Sequence, residues 1–282
     1  MKFGITGSAG FIGSFITTAL RQDGHEVLSL DQYVYSPAKS TVKLKTGGFD
    51  WILHFGASTS VDASFNNPTD IYKNNIESTL SALGIASHTK AAFLFMSSFV
   101  YGQSQYLPLD EKHPISPTNP YMGSKICGEQ VCEHWQTLFD LPVIILRGFN
   151  IYGNANIPGR LISDLLNAVK ENKPLVVNDP LPKRDYLYIE DFNNLIEQIV
   201  TRIPIKTGIY NVGCGESYSN LDVAEYIKRI SGAKQTIEVR PAMRKNDIAD
   251  CSVDVSLVKN TFHWQPLYTL EEGLKKVIQT LN

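Results

Sequence analysis

Lys2-Phe3-Gly4-Ile5-Thr6-Gly7-Ser8-Ala9-Gly10-Phe11-Ile12-Gly13 is a short apolar run that breaks into glycines and resumes as a helical pattern. Phe3–Thr6 reads as a strand. Phe11–Gln22 reads as a helix, with Ile12, Phe15, Ile16, Ala19 and Leu20 on one face. Between them Gly7, Gly10 and Gly13 stand at a GxxGxxG spacing. Glycine allows the tight turn and lets backbone approach a pyrophosphate, and the helix N-terminus offers free N–H groups and the positive end of its dipole. The spacing alone is weak, because turns are rich in glycine; its position between the first strand and the first helix gives it weight.

Val27–Leu30 reads as the second strand, and Asp31 ends it 18 residues after Gly13. A carboxylate there accepts hydrogen bonds from the hydroxyls of an adenosine ribose and repels a 2′-phosphate, so NAD is expected rather than NADP. The plainer alternative for Asp31 is a solvated strand end.

Farther along, Trp51–Phe55, Ala92–Ser97 and Val143–Leu146 are continuous apolar runs of the kind found in parallel strands buried on both faces. Helical segments at Thr69–Ser87 and Tyr121–Leu138 separate them. This alternation predicts an α/β fold, a doubly wound parallel sheet of Rossmann type. After about Tyr152 prolines punctuate shorter elements, as in a smaller mixed lobe. The expected division is a dinucleotide-binding domain over 1–150 and a substrate lobe over 151–282, with about 185–212 returning to the main sheet.

Composition narrows the function classes. With 282 residues, 43% of them apolar, the chain is long enough for a substantial core. A net charge of −2 gives no electrostatic case for nucleic acid or an anionic membrane as partner. The four cysteines show neither a CxxC pair nor metal-ligand spacing, so reduced thiols within the packing and no metal are expected. With no signal-like block at the start and no run of 18 apolar residues, a cytoplasmic enzyme is the expectation.

Tyr121-Met122-Gly123-Ser124-Lys125 sets a tyrosine and a lysine four apart, on one helical face, with Pro120 ahead and Thr118 and Asn119 as capping candidates. A phenol, with its ordinary pKa near 10, is a poor base at neutral pH; an ammonium beside it favours the phenolate. Tyr121 then suits taking a hydroxyl proton as hydride leaves the same carbon, or returning it during reduction. Upstream, Ser97 and Ser98 end a strand, where a hydroxyl can orient the reacting oxygen. A tyrosine and a lysine at this spacing also occur by chance on helix faces; the glycine turn and the serines give the pair its meaning.

The segments TGSAGFIG, HFGA, SSFVYG, YMGSK, RGFNIYG, RDYLYIED, YNVGCGES and WQPLYTLEEGL occur in this order. Over nearly its whole length the chain resembles the extended short-chain dehydrogenases/reductases, in particular the NAD-dependent nucleotide-sugar epimerase/dehydratase group. The resemblance implies that Ser97, four residues before Tyr101, is the catalytic serine, Tyr121 the acid/base, and Lys125 the residue that tunes Tyr121 and holds the nicotinamide ribose. It implies cofactor contacts from Gly7, Gly10, Phe11, Ile12, Gly13, Asp31, Phe55, Gly56, Ala57, Asn75 and Phe149. On the substrate side it implies Asn150, Arg184 and Arg240 at the nucleotide diphosphate, with Thr59 and Ser98 at the sugar; for each arginine the ordinary alternative is a surface charge.

Two departures from the group's pattern stand out. Only 18 residues separate Asp31 from Asp50, so the usual third strand and its helix are shortened or absent. The segment Arg240-Pro241-Ala242-Met243 lacks the glycine and acid usual there.

Group members that eliminate water or carbon dioxide carry acidic residues just after the catalytic serine or threonine; here Ser98 and Phe99 stand there, which disfavours elimination. An epimerase that oxidises and re-reduces one carbon, probed first at C4, is the leading expectation. A nucleotide 4-keto-sugar reductase is the alternative, with a dehydratase behind it. A different class, a non-catalytic NAD-binding sensor, would be expected to lose the tyrosine or the lysine. The resemblance also implies a homodimer through a four-helix interface formed by the helices near 69–87 and 121–138.

Overall fold

The computed structural model describes residues 1–34, 48–153, 157, 159–241 and 248–280. The first half runs β1 (Lys2–Thr6), α1 (Phe11–Gln22), β2 (Glu26–Ser29), α2 (Asp31–Val34), β3 (Trp51–His54), α3 (Val61–Asn66), α4 (Pro68–Thr89), β4 (Ala92–Met96), α5 (Pro120–Phe139) and β5 (Val143–Gly148). The second half runs β6 (Asn150–Tyr152), α6 (Leu161–Lys170), β7 (Leu175–Asn178), β8 (Lys183–Tyr188), α7 (Ile189–Thr201), β9 (Gly208–Val212), β10 (Ser217–Ser219), α8 (Asn220–Ser231), β11 (Ile237–Arg240), α9 (Ser256–Phe262) and α10 (Leu270–Gln279). Two stretches flagged in the sequence, most of the shortened segment (35–47) and Ala242-Met243, lie outside the described residues.

Two compact units emerge. The first comprises Met1–Gly102, Ile115–Gly148 and Glu197–Tyr210. Its six-stranded sheet has the order β2-β1-β3-β4-β5-β9, and the pairings from β2 through β5 are all parallel. The sheet is therefore the parallel α/β sheet of Rossmann type. Its strands form because their residues are apolar on both faces: β3 and β5 are buried along their whole length. On one face Ile52, Phe93, Phe95, Val143 and Ile145 pack with Ala82, Leu83 and Ala86 of α4 and Cys132 of α5. Fully burying a side chain of this size contributes about 1.5–3 kcal/mol, so this layer is a main source of the unit's stability.

The chain leaves β1 for β2 on one side and returns to β3 on the other. Strand order thus reverses between β1 and β3, and in open parallel sheets the crevice at such a reversal, beyond the carboxyl ends of the strands, is where ligands bind.

The second unit comprises Gln103–Pro114, Phe149–Ile196 and Asn211–Asn282. Its three-stranded sheet runs β10-β8-β6, and β11 pairs with β7 in parallel. In β8, the buried Asp185 accepts hydrogen bonds from the N–H groups of Cys214 and Gly215, 2.7 Å each, and burial pushes its pKa up to about 7. Helices α8 and α10 begin with reciprocal caps, Ser219 with Asp222 and Thr269 with Glu272.

Candidate active site

The turn after β1 is built for a close approach of backbone. Gly7 lies at φ +68°, and a Cβ on it would stand 2.7 Å from the amide nitrogen of Gly56, in the loop after β3. A Cβ on Gly13 would stand 2.1 Å from the carbonyl oxygen of Gly7, so only glycine lets α1 begin this close to the turn. Helix α1 has Gly10 at its N-cap with no side-chain cap, and no acidic residue in its first turn. Its N–H groups without a side-chain cap and its dipole suit an anion, whereas α8 and α10 cap their own. These features fit a dinucleotide's pyrophosphate.

Asp31 sits beside this turn and holds it. Its carboxylate accepts from Gly7 N at 2.5 Å and Ser8 N at 3.1 Å, and from Ser8 Oγ at 2.8 Å. The residue expected to read a ribose is thus also the one that shapes the glycine turn.

Helix α5 carries the proton-transfer pair. Asn119 caps it by accepting from Met122 N at 2.9 Å, and Pro120 takes the first position, where a missing N–H costs nothing. Tyr121 is partly exposed and Lys125, one turn on, is buried. The Lys125 ammonium stands 4.2 Å from the ring centroid of Phe95. Burial lowers its pKa to about 8, against the raising influence of Cys132 and Glu129. Two glycines let neighbouring rings pack closely on α5: a Cβ on Gly128 would meet Phe95 Cζ at 2.5 Å, and one on Gly123 would meet Tyr72 Oη at 1.9 Å.

The two serines at the end of β4 have different surroundings. Ser97 is buried, and its Oγ donates to Glu129 Oε1 of α5 at 2.5 Å. Glu129 forms a buried ion pair with Arg147 of β5 at 2.7 Å, and Arg147 also donates to Tyr101 Oη at 3.1 Å. Ser98 is half-buried, and its Oγ donates a long hydrogen bond, 3.4 Å, to Phe99 O.

Phe55, Gly56 and Ala57 form the loop after β3, and Asn75 of α4 supports its continuation: Ser58 N donates to Asn75 Oδ1 at 2.7 Å, and Asn75 Nδ2 donates to Ser58 O and to Ser124 Oγ. Phe11 and Ile12 open α1, and Thr59 is exposed.

Phe149, Asn150, Arg184 and Arg240 belong to the second unit. Phe149 is buried and donates through its N–H to Val212 O. Asn150 Nδ2 donates to Asp185 O at 3.0 Å. Arg184 donates to the carbonyls of Lys183 and Ile248, and Arg240, exposed, pairs with Glu238 at 3.2 Å. Both guanidinium groups are thus held by local partners.

Sequence reasoning passed over Glu129, Arg147, His54, Thr6 and Thr79, all buried. Glu129 had a visible signal, since it lies four residues after Lys125 on the same helical face. His54, inside the quoted HFGA, carried no signal of its hydroxyl partners. Among the described residues no cluster of three or more His, Cys, Asp or Glu is placed to hold a metal, and no helix is long and apolar enough to cross a membrane.

Known proteins resemble this chain along most of its length. Residues 4–213 match the profile of the NAD dependent epimerase/dehydratase family. A protein of Bacillus subtilis named an uncharacterised UDP-glucose epimerase is 29% identical, over 100% of this chain and 98% of its own. The UDP-glucose 4-epimerase of Corynebacterium glutamicum is 25% identical, over 95% and 92%. Among solved structures, the UDP-glucuronic acid 4-epimerase of Bacillus cereus, in complex with UDP-glucuronic acid and NAD, superposes with a TM-score of 0.86 at 26% identity, covering 100% of both chains.

Proposed function

The chain belongs to the NAD dependent epimerase/dehydratase family, and from that premise we propose that it is an NAD-dependent epimerase of a nucleotide-diphosphate sugar, acting at C4. The observation that carries the reading is Tyr121 and Lys125 on one face of α5, with the ammonium buried against Phe95. The similar epimerases of B. subtilis, C. glutamicum and B. cereus support a UDP-sugar as substrate.

NAD, when bound, supplies a hydride acceptor that serves as the donor later in the same cycle. Gly7, Gly10, Phe11, Ile12 and Gly13 would hold its pyrophosphate, Asp31 its adenosine ribose, and Phe55, Gly56, Ala57, Asn75 and Phe149 its remaining length. Lys125 would hold the nicotinamide ribose. Tyr121 takes the proton of the sugar hydroxyl and returns it to the same oxygen, and the Lys125 ammonium favours the phenolate that this requires. Ser98 is the hydroxyl that orients the sugar oxygen, because Ser97 has committed its single hydrogen to Glu129. Thr59 faces the sugar, while Asn150, Arg184 and Arg240 take the diphosphate once the arginines exchange carbonyl and carboxylate partners for phosphate oxygens. No acidic residue follows either serine, which leaves elimination without its acid. The working form is a cytoplasmic homodimer.

The test is direct. The purified protein should interconvert two UDP-sugars epimeric at C4 with no net change in NADH absorbance. Stoichiometric loss of NADH with a 4-keto nucleotide-sugar would make it a reductase instead. Tyr121→Phe should lower turnover by about 10² to 10⁴ while leaving NAD binding nearly intact.

A further inference from the structure

His54, the last residue of β3, is fully buried, stacked beside Phe93 and Phe95 with ring centroids 5.9 and 5.7 Å away. Both ring nitrogens face hydroxyls: Nδ1 is 2.6 Å from Thr6 Oγ1 of β1, and Nε2 is 3.1 Å from Thr79 Oγ1 of α4. The direction of these bonds follows from counting hydrogens. Thr79 has one, and it goes to the carbonyl of Asn75 at 2.7 Å. Thr79 Oγ1 therefore accepts from His54, which puts the ring proton on Nε2. Nδ1 is then bare and accepts the hydrogen of Thr6. Thr6 Oγ1 keeps its lone pairs for Gly56 N–H, which donates to it at 3.1 Å.

The result is a chain of donors with one polarity, from Gly56 through Thr6, His54 and Thr79 to the Asn75 carbonyl. Asn75 extends it: its side chain binds both the N–H and the carbonyl of Ser58 and donates to Ser124 Oγ, which donates to the Tyr121 carbonyl at 2.7 Å. One imidazole thus links the strand that feeds the glycine turn, the loop from Phe55 to Ser58, and the helix bearing Tyr121 and Lys125. A second proton, on Nδ1, would point at Thr6 Oγ1 and displace the Thr6 hydrogen from its acceptor. Nδ1 faces the Thr6 hydrogen, the neighbours in the layer are aromatic rings, and the charged group that acts on the ring is the Lys125 ammonium. Burial first, and Lys125 second, lower the His54 pKa to about 3.

We propose that His54 is a positioning residue, a permanently neutral imidazole with its hydrogen on Nε2, whose bonds to Thr6 and Thr79 fix Gly56 against Gly7 and so hold the cofactor loop in register with α5. It does no proton transfer, because the donor chain ends at an amide carbonyl, which cannot take a proton and pass it on. Its value to the cofactor rests on the reading of Gly56 as a cofactor contact.

Two measurements test it. In ¹⁵N-labelled protein, ring correlations of His54 should show a protonated Nε2 and a bare Nδ1, unchanged from pH 5.5 to 8. A hydrogen on Nδ1, or a ring that titrates in that range, would overturn the proposal. For the loop, NAD affinity is read by calorimetry. His54→Leu, which leaves Thr6 and Thr79 without the ring, should weaken NAD binding about tenfold, the scale of one lost buried hydrogen bond. His54→Asn, whose side-chain oxygen can take the Thr6 hydrogen, should recover part of that loss. Folded variants that bind NAD as tightly as the unmodified protein would overturn the positioning role. Failure of the unmodified protein to bind NAD would overturn the cofactor reading instead, and the ring-proton result would still decide the hydrogen-bond chain.

Discussion

Ser97 and Glu129, 32 residues apart in sequence, are joined by a buried hydrogen bond of 2.5 Å between the end of β4 and the middle of α5. Arg147 pins the same carboxylate from β5. The end of the serine strand is therefore bolted to the helix that carries Tyr121 and Lys125, and the geometry of the serine loop is set by a charged pair withdrawn from solvent.

The first prediction separates the two serines. Ser97→Ala strips a hydrogen bond from a buried carboxylate, a loss of about 2 kcal/mol for bonds to charged groups, and should lower the denaturant midpoint while much of the turnover survives. Ser98→Ala should do the reverse, leaving the midpoint in place and cutting turnover about 10²-fold, as removal of one positioned donor does. If Ser97→Ala abolishes turnover in a protein of unchanged stability, the roles are exchanged and Ser97 meets the substrate.

The second prediction concerns Lys125. Its folded pKa, about 8, lies below the ordinary 10.5, with burial as the main cause. Below pH 8 the folded chain carries a buried ammonium at a cost. Between pH 8 and 10.5 the folded chain has released that proton and the unfolded chain still binds it, so stability rises with pH across this window and is lost as pH falls back through 8. Lys125→Met removes the group. Urea unfolding should show the variant's advantage over the unmodified protein shrinking by about 2 kcal/mol from pH 7 to pH 9.5. A difference that stays constant across that range would mean that Lys125 titrates as an ordinary surface lysine.

Local signals were legible in the sequence, and long-range pairings were not. Phe11–Gln22 reads as helix because its apolar spacing and the glycine turn before it are local facts, and α1 has those bounds. The strand from Trp51 and the helix near Tyr121 are local in the same way, with ends displaced by a single residue. The capping role of Asn119 was also visible, since a cap reaches only three residues along the chain. By contrast, nothing near Ser97 in the sequence announces its hydrogen bond to Glu129. Asp31 reads as a ribose ligand, and nothing local in the sequence shows that its carboxylate also gathers Gly7 and Ser8. His54 joins hydroxyls 48 positions before it and 25 after it, a pairing that periodicity cannot suggest.

The third prediction is the oligomer. Leu80 and Gly84 of α4, with Leu138 of α5, are exposed, and a Cβ on Gly84 would meet nothing within 4 Å. Leu138 is 71% exposed and Phe139 beside it 60%, so the end of α5 presents adjacent apolar side chains that a partner would cover. Light scattering should give twice the chain mass of 31.4 kDa, and Leu80→Arg should halve that value without lowering the helical content. A single species of one chain's mass at micromolar concentration would exclude the homodimer.

The last prediction turns on Asp31. Its carboxylate already accepts from Gly7 N, Ser8 N and Ser8 Oγ, so the ribose of a bound cofactor must use its remaining lone pairs or displace the Ser8 hydroxyl. Either way a negative charge stands at the ribose, and a 2′-phosphate there meets repulsion that solvent screens only in part. NAD should bind more tightly than NADP. Asp31→Ala should narrow that gap by removing the repulsion, and should also weaken NAD, because two N–H groups of the turn lose their acceptor. Ser8→Ala tests the division of labour: it frees a carboxylate lone pair without removing the charge, so NAD affinity should hold or rise while the preference over NADP persists. Calorimetric titration of the three proteins with both cofactors reads all of this, and equal affinity of the unmodified chain for NAD and NADP would remove Asp31 from the ribose site.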